Sequence, residues 1–72
     1  MRILLLGAGH IGQTIASLLA GSGDFALTVV DRRDAALARL RPLPLATRCA
    51  DTDDDHALRG LFDGQDAVIN AL

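Results

Sequence analysis

The sequence has a single cysteine, Cys49, among its 72 residues, so no internal disulfide and no cysteine-rich metal site can form. Its only aromatic residues are Phe25 and Phe62, so a core must be built from Leu, Ile, Val and Ala, as is common for helices packed on a parallel sheet. Every acid is Asp and every base is Arg, for a net charge of −2. Without a basic field, no nucleic-acid partner is expected.

Long hydrophobic runs are also missing. The first run, Ile3–Leu6, ends at Gly7, well short of the roughly 7–15 apolar residues of a signal peptide. No segment approaches the roughly 20 apolar residues of a membrane span. We therefore expect no membrane partner and, with one cysteine, a reducing cytoplasmic location. Half of the residues are hydrophobic, which predicts one folded domain over residues 1–72.

Hydrophobic periodicity predicts four strands and three helices in alternation. The strands are expected at Ile3–Leu6, Ala26–Val30, Ala46–Ala50 and from Ala67 onward, mostly as buried runs. The first helix starts at His10, with its inward face formed by Ile11, Ile15, Leu18 and Leu19, and ends at residues 21–24. The second is expected over Asp34–Arg41, with Asp34 as N-cap, Leu37 and Leu40 inward and Pro42 as stop. The third follows residues 52–55 and runs to about Phe62, burying Leu58, Leu61 and Phe62.

The turn after the first strand carries a phosphate-binding pattern. Gly7-Ala8-Gly9-His10-Ile11-Gly12 matches G-x-G-x-x-G between a predicted strand and a predicted helix, with Asp31 about 20 residues further on. Gly7 permits the tight turn, Gly9 lets a pyrophosphate approach the backbone, and Gly12 allows close packing of helix on sheet. Unpaired amides at the helix start favour an anion. His10 either touches a phosphate or is an exposed loop residue.

These signals together predict an α/β fold, a partial Rossmann fold with a parallel sheet of four strands in the order 3-2-1-4 and three crossover helices. Residues 1–72 would form the N-terminal portion of an NAD(P)-binding domain, with further strands and a substrate domain outside this sequence. We accordingly expect the chain to hold no catalytic residues and to show no turnover alone. An unpaired strand at the edge of the sheet would offer a surface for homodimerisation.

The second strand should present the ribose-binding residues. Asp31 is expected to accept hydrogen bonds from the ribose hydroxyls and to repel a 2′-phosphate, which favours NAD. An arginine at Arg32 or Arg33 would instead hold the 2′-phosphate of NADP, which keeps NADP open as the alternative; for Arg33, an exposed helix-start position is the preferred interpretation.

Residues after the third and fourth strands are further candidates. Asp51 and Thr52 are expected either to reach the adenine edge or to cap the next helix. Asn70 and Ala71 are expected to line the middle of the cofactor, with ordinary strand-end polarity as the alternative for Asn70. The acids at 53–55 are interpreted as helix-dipole charges and not as a metal site. Cys49 is expected to be a small buried strand residue.

The whole sequence resembles the N-terminal NAD(P)-binding domain of the saccharopine dehydrogenase family. The resemblance lies in ILLLGAGHIG at residues 3–12, VVDR at 29–32, the Ala50-Asp51 pair, and DAVINAL at 66–72. It implies oxidoreduction at a C–N bond of an amino-acid substrate, with substrate binding and catalysis on a second domain. The competing hypothesis is a regulatory nucleotide sensor of the kind that gates potassium transport, which the segment at 70–72 argues against.

Overall fold

Strands and helices alternate along the whole chain in the computed structural model, which describes residues 1–72. The elements, in order, are β1 Arg2–Leu6, α1 His10–Ser22, β2 Ala26–Asp31, α2 Asp34–Ala38, β3 Ala46–Cys49, α3 Asp55–Phe62 and β4 Ala67–Asn70. The strands form one parallel sheet in the order β3-β2-β1-β4. The predicted α/β class and strand order are confirmed.

The central strand β1 divides the core into two layers. Ile3 and Leu5 point to the side covered by α1 and α2, where Leu37 and Leu40 pack against them. Leu4 and Leu6 point to the opposite side, where α3 contributes half-buried leucines. Leu4, Leu5 and Leu37 are completely buried, so the two helical layers are held mainly by aliphatic contacts through this strand.

Helix α1 packs on the sheet through small residues, and the predicted inward face is wrong in part. Ile15 and Leu19 contact the core, but Ile11 and Leu18 are each 71% exposed. The buried residues of α1 are Gly12, Ala16 and Ala20. These small residues are four positions apart and therefore lie on one face of the helix, which lets α1 approach the sheet more closely than branched side chains would allow.

Helix α2 is shorter than predicted. It ends at Ala38, and Arg33 rather than Asp34 is the N-cap. The early end has a steric cause, because the ring of Pro42 would clash with the carbonyl of the residue four positions earlier if the helix continued. The chain continues instead through hydrogen bonds from Leu40 to Leu37 and from Leu43 to Leu40. The predicted burial of Leu37 and Leu40 is confirmed.

The two edge strands are more exposed than predicted. Val68 in β4 is 45% exposed, and Phe62 at the end of α3 is also exposed; neither belongs to a buried layer. Cys49 in β3 is exposed and unpaired, because β3 has a neighbour on one side only and little covers it. β3 ends at Cys49, one residue before the predicted end, although the Ala50 amide still donates to the Asp31 carbonyl. Dimerisation through an open edge stays a prediction.

None of the helices combines the length and apolar character that crossing a bilayer requires.

Candidate functional site

The bend between β1 and α1 requires glycine at position 7. Gly7 has a φ of +104°, a conformation that residues with a Cβ rarely adopt. Its amide donates to the Val30 carbonyl oxygen at 2.8 Å, and an added Cβ would lie 2.7 Å from the carbonyl oxygen of Ala71. The chain therefore turns sharply out of the sheet, in direct contact with the residue that follows β4.

Gly12 brings the first turn of α1 against that bend. A Cβ at Gly12 would lie 2.1 Å from the carbonyl oxygen of Gly7 and 2.8 Å from its carbonyl carbon. Because both neighbours are backbone atoms, they cannot move aside without opening the bend. The start of α1 is thus fixed directly over the end of β1.

Gly9 lies at the open side of the bend. It is the N-cap of α1 and offers no capping side chain, and the first helical hydrogen bond runs from the Gln13 amide to the Gly9 carbonyl. The amides of residues 9–12 have no intramolecular acceptor. Only the tip of Arg33 comes within 4 Å of an added Cβ at Gly9. Free amides at the positive end of a helix, facing open space, are a binding site for an anion such as a phosphate.

Asp31, at the end of β2, is tied to this turn. It is 3% exposed, and its Oδ2 accepts the amide hydrogen of Ala8 at 2.8 Å. Its other oxygen accepts from the Arg33 amide at 2.8 Å. The Arg33 guanidinium completes the set, with Nε 3.1 Å from Oδ1 and Nη2 3.2 Å from Oδ2. This carboxylate joins the glycine-rich turn to the start of α2.

These contacts favour the ionised form of Asp31. The guanidinium of Arg33 has the largest effect and, with the two backbone amides, lowers the pKa of Asp31 from 3.8 to about 2 against the opposing effect of burial. The same pair raises the pKa of Arg33. The buried carboxylate therefore carries a negative charge that is compensated within the molecule.

A cleft of about 220 Å³ opens between the turn and α2. Its lining combines backbone of the turn with three side chains that can carry positive charge, and consists of Ala8, Gly9, His10, Gln13, Arg33, Ala35, Ala36 and Arg39. A larger cleft of about 390 Å³ lies across the sheet beside α3, and its lining includes Arg2, Arg48 and Asp63. We take the smaller cleft as the candidate site, because ligands of parallel α/β sheets bind beyond the carboxyl ends of the strands.

The structure brings together most of the residues singled out in the sequence. Gly7, Gly9, His10, Ile11, Gly12, Asp31 and Ala71 all lie at or beside the bend. Asn70 ends β4 close by, and its Oδ1 accepts the amide hydrogen of Leu72.

Of the candidates, only Gly9 and His10 line the cleft itself, and no contact of Arg32, Asp51 or Thr52 places these three at the bend. Asp51 and Thr52 occupy the loop before α3, where the Asp51 carboxylate accepts the Asp53 amide. The helix cap itself is Asp54, so the capping alternative for Asp51 is wrong. The Arg32 side chain does not line the cleft, and its carbonyl accepts a hydrogen bond from Cys49. Contacts of these residues with a cofactor stay predictions.

Three polar residues of the cleft were either missed in the sequence or assigned another role. Arg33, expected to be a solvated surface residue, is paired with Asp31. Arg39 and Gln13 line the same cleft, and Gln13 donates from Nε2 to the Ala8 carbonyl at 3.0 Å. Of these residues, only Arg33 could have been assigned from the sequence, because an acid followed two residues later by an arginine at a helix start can form a local ion pair.

Comparison with known proteins gives a family match and matches to solved structures. Residues 3–72 match the family described as the saccharopine dehydrogenase NADP binding domain. The chain is similar to apo histidine-tagged saccharopine dehydrogenase (L-Glu forming) from Saccharomyces cerevisiae, with 33% sequence identity and a TM-score of 0.85. The match covers 99% of this chain and 16% of that one. No curated protein matches the sequence.

Proposed function

The chain belongs to the saccharopine dehydrogenase NADP-binding domain family, and from this membership we propose that residues 1–72 bind the ADP half of a nicotinamide dinucleotide at the β1–α1 bend. Family membership supports a dinucleotide-binding, oxidoreductase-like domain. The further assignment of the pyrophosphate to the bend is our proposal.

One observation carries this proposal: the amides of residues 9–12 donate to no acceptor within the chain, and the space that a Cβ on Gly9 would occupy is open except for the tip of Arg33. A pyrophosphate placed there accepts hydrogen bonds from the backbone and lies at the positive end of α1. Gly7 and Gly12 hold the amides in this arrangement, since a Cβ at either position would overlap backbone. The nicotinamide, when bound, supplies the hydride chemistry, whereas these residues position the cofactor.

For the choice of cofactor we propose NADP in place of the NAD expected from the sequence. The expectation rested on repulsion between the Asp31 carboxylate and a 2′-phosphate. In the folded chain that carboxylate is paired with Arg33, and Arg33 and Arg39 both line the cleft beside the turn. The family description names NADP as well.

The chemistry of a whole protein containing this domain is a further proposal. The chain spans 16% of the saccharopine dehydrogenase that it matches. By similarity we propose that such a protein is a cytoplasmic oxidoreductase acting on a C–N bond of an amino-acid substrate, and that substrate-binding and catalytic groups lie on another domain.

The proposal is tested by thermal-shift titration of the chain with NADP, NAD and ADP-ribose. A ligand that binds only the folded state stabilises it by about 2.7 kcal/mol at a concentration 100 times its Kd, so a concentration-dependent rise in Tm is expected with all three, largest for NADP. Absence of any rise at millimolar ligand would refute dinucleotide binding.

The substitution Gly9→Val tests whether the pyrophosphate binds at the β1–α1 bend. The valine side chain would occupy the space beside the free amides, and in the folded chain only the Arg33 guanidinium lies within 4 Å of its Cβ position. We expect the variant to fold and to lose the Tm response to all three ligands. Gly21→Val, at a glycine of α1 with no atom within 4 Å, is the matched control and should keep the response. Unchanged affinity in Gly9→Val would place the pyrophosphate elsewhere.

A further inference from the structure

We infer that the cleft between α3 and the sheet is a second ligand site, for a small organic anion with a phosphate or carboxylate at one end and an N–H or O–H donor at the other. The cleft has a volume of about 390 Å³, near the lower end of the roughly 300–1,000 Å³ of small-molecule pockets. It lies on the α3 face of the sheet, whereas α1 and α2 cover the other face. The inference is therefore independent of the proposed function.

The strand register builds the floor of this cleft from one face of three strands. Leu4 is aligned with Thr28, and Thr28 with Ala46, so these side chains form a row across β1, β2 and β3. Side chains two positions apart point to the same face of a strand, which places Arg2 before this row on β1 and Arg48 after it on β3. Both arginines line the cleft. They stand at opposite corners of the floor, with Cα atoms roughly 16 Å apart from the strand spacing and rise.

The guanidinium groups of these two arginines are free to bind a ligand. Neither Arg2 nor Arg48 belongs to an ion pair, and Arg2 is bound to a side chain only through its backbone amide, which donates to Asp66. An arginine without a carboxylate partner at the wall of a cleft presents planar donors that match the oxygens of a phosphate or a carboxylate. The floor therefore carries two anion-binding groups on either side of an apolar middle.

The two ends of the cleft differ in charge. Because α3 connects the carboxyl end of β3 to the start of β4, it runs antiparallel to the strands, and its end lies beside Arg2. A Cβ on Gly64 would lie 2.9 Å from Nη1 of Arg2, which brings the residues after α3 to this end. Asp63 is the only acid of the lining. The Arg2 end thus carries both signs of charge, whereas the Arg48 end is positive.

A glutamine in the lining has an unused acceptor. Oε1 of Gln65 is buried and has no hydrogen-bond partner. Buried polar atoms are nearly always hydrogen-bonded, and an unpartnered one destabilises the fold. Rotation of the side-chain amide into the cleft would bring Oε1 to an N–H or O–H group of a ligand. Gln65 and Asp63 then accept from the donor end of the ligand, while Arg48 binds its anionic end.

The test uses two probes with this chemistry, glycerol 3-phosphate and 4-aminobutyrate, and their counterparts without the terminal donor, propyl phosphate and butyrate. Each is titrated calorimetrically into the 72-residue chain. We expect one of the two probes to bind, and to bind more tightly than its counterpart; the probe that binds identifies phosphate or carboxylate as the anionic group. Absence of binding by both probes at millimolar concentration would overturn the inference, as would equal affinity for a probe and its counterpart.

Substitutions at the two ends separate their roles. Arg48→Ala should weaken the bound probe roughly 10- to 100-fold, the range for a hydrogen bond to a charged group, and Arg48→Lys should retain part of the affinity. Gln65→Leu removes the acceptor and should reduce the difference between the probe and its counterpart. Arg59→Ala removes an exposed positive charge from α3 outside the cleft lining and should leave the Kd unchanged. Equal losses in Arg48→Ala and Arg59→Ala would overturn the inference, because they would show a general charge effect.

Two further measurements separate this site from the phosphate-binding turn. In amide NMR spectra the probe should shift the resonances of Thr28, Gly60 and Gln65 and leave those of residues 9–12 in place. Saturating ADP-ribose should not change the Kd of the probe. Competition between them would assign the probe to the turn and overturn the inference. A chain that binds the probe but shows no Tm response to ADP-ribose, NAD or NADP would refute the proposed function alone.

Discussion

Replacing Asp31 by asparagine tests how much the ionised carboxylate contributes to folding. The side chain keeps its size but loses its charge, so the ion pair with Arg33 is removed while the surrounding space stays filled. The pKa of Asp31 is about 2 in the folded chain against an ordinary value of 3.8. At about 1.4 kcal/mol per pKa unit, this difference corresponds to roughly 2 kcal/mol of stability.

The pH range in which this contribution acts follows from the direction of the change. Because folding lowers the pKa of Asp31, the folded state is favoured when the carboxylate is ionised. The full contribution is present above about pH 4 and is lost as the pH falls towards 2. The wild type is therefore expected to lose about 2 kcal/mol through this residue over that interval, whereas Asp31→Asn lacks this titration.

Urea denaturation at a series of pH values from 7 to 2 measures the effect. With an m value of about 1 kcal/mol/M for a small domain, the urea midpoint of Asp31→Asn should lie about 2 M below that of the wild type at pH 7. The gap should shrink by most of that amount at pH 2. Asp24→Asn is the control, because the Asp24 side chain makes no hydrogen bond or ion pair. A gap for Asp31→Asn that stays constant across the range would refute the reasoning.

Two further predictions concern stability. Gly12→Ala should destabilise the chain by about 1–3 kcal/mol in urea denaturation, because the added Cβ would overlap the Gly7 carbonyl. The control Gly21→Ala has no neighbour within 4 Å and should be neutral or stabilising by up to about 1 kcal/mol. Equal effects of the two substitutions would contradict the argument. Asp54→Ala should lower the free energy of unfolding by about 1 kcal/mol, because the Asp54 carboxylate accepts hydrogen bonds from the His56 and Ala57 amides at the start of α3. The control Asp53→Ala removes a carboxylate without such bonds and should cause no comparable loss. Equal losses of stability would show that only the charge matters.

The parts of the fold that follow from local chemistry could be predicted from the sequence. The alternation of apolar runs and helical periods, together with the spacing of Gly7, Gly9 and Gly12, led to the observed sheet order. The inward face of α1 could not be predicted from hydrophobicity, because close approach to the backbone selects Gly12, Ala16 and Ala20 over the larger Ile11 and Leu18. Size rather than apolar character decided that face.

Contacts between distant segments set the rest of the candidate site. Asp31 was identified as a binding residue, but its hydrogen bond to the Ala8 amide depends on how β1 and β2 align. That alignment brings Arg33 over the turn and compensates the charge on which the expectation of NAD rested. The end of α2 is a different case: Pro42 was identified as the stop in the sequence, but the helix already ends at Ala38, because the proline ring would clash with the carbonyl four residues earlier. The compensation of Asp31 by Arg33 is not visible in residue type alone.

The contact between Gly7 and Ala71 makes the last strand part of the phosphate site, although the two residues lie near opposite ends of the chain. The Ala71 amide also donates to the Leu6 carbonyl at 2.8 Å, so the residue after β4 contacts both sides of the β1 end, and we expect the shape of the bend to depend on the docking of β4. We therefore expect cofactor binding and docking of β4 to be linked equilibria. A bound dinucleotide should slow hydrogen exchange at the amides of β4, and a change that loosens β4 should weaken cofactor binding by the same free energy.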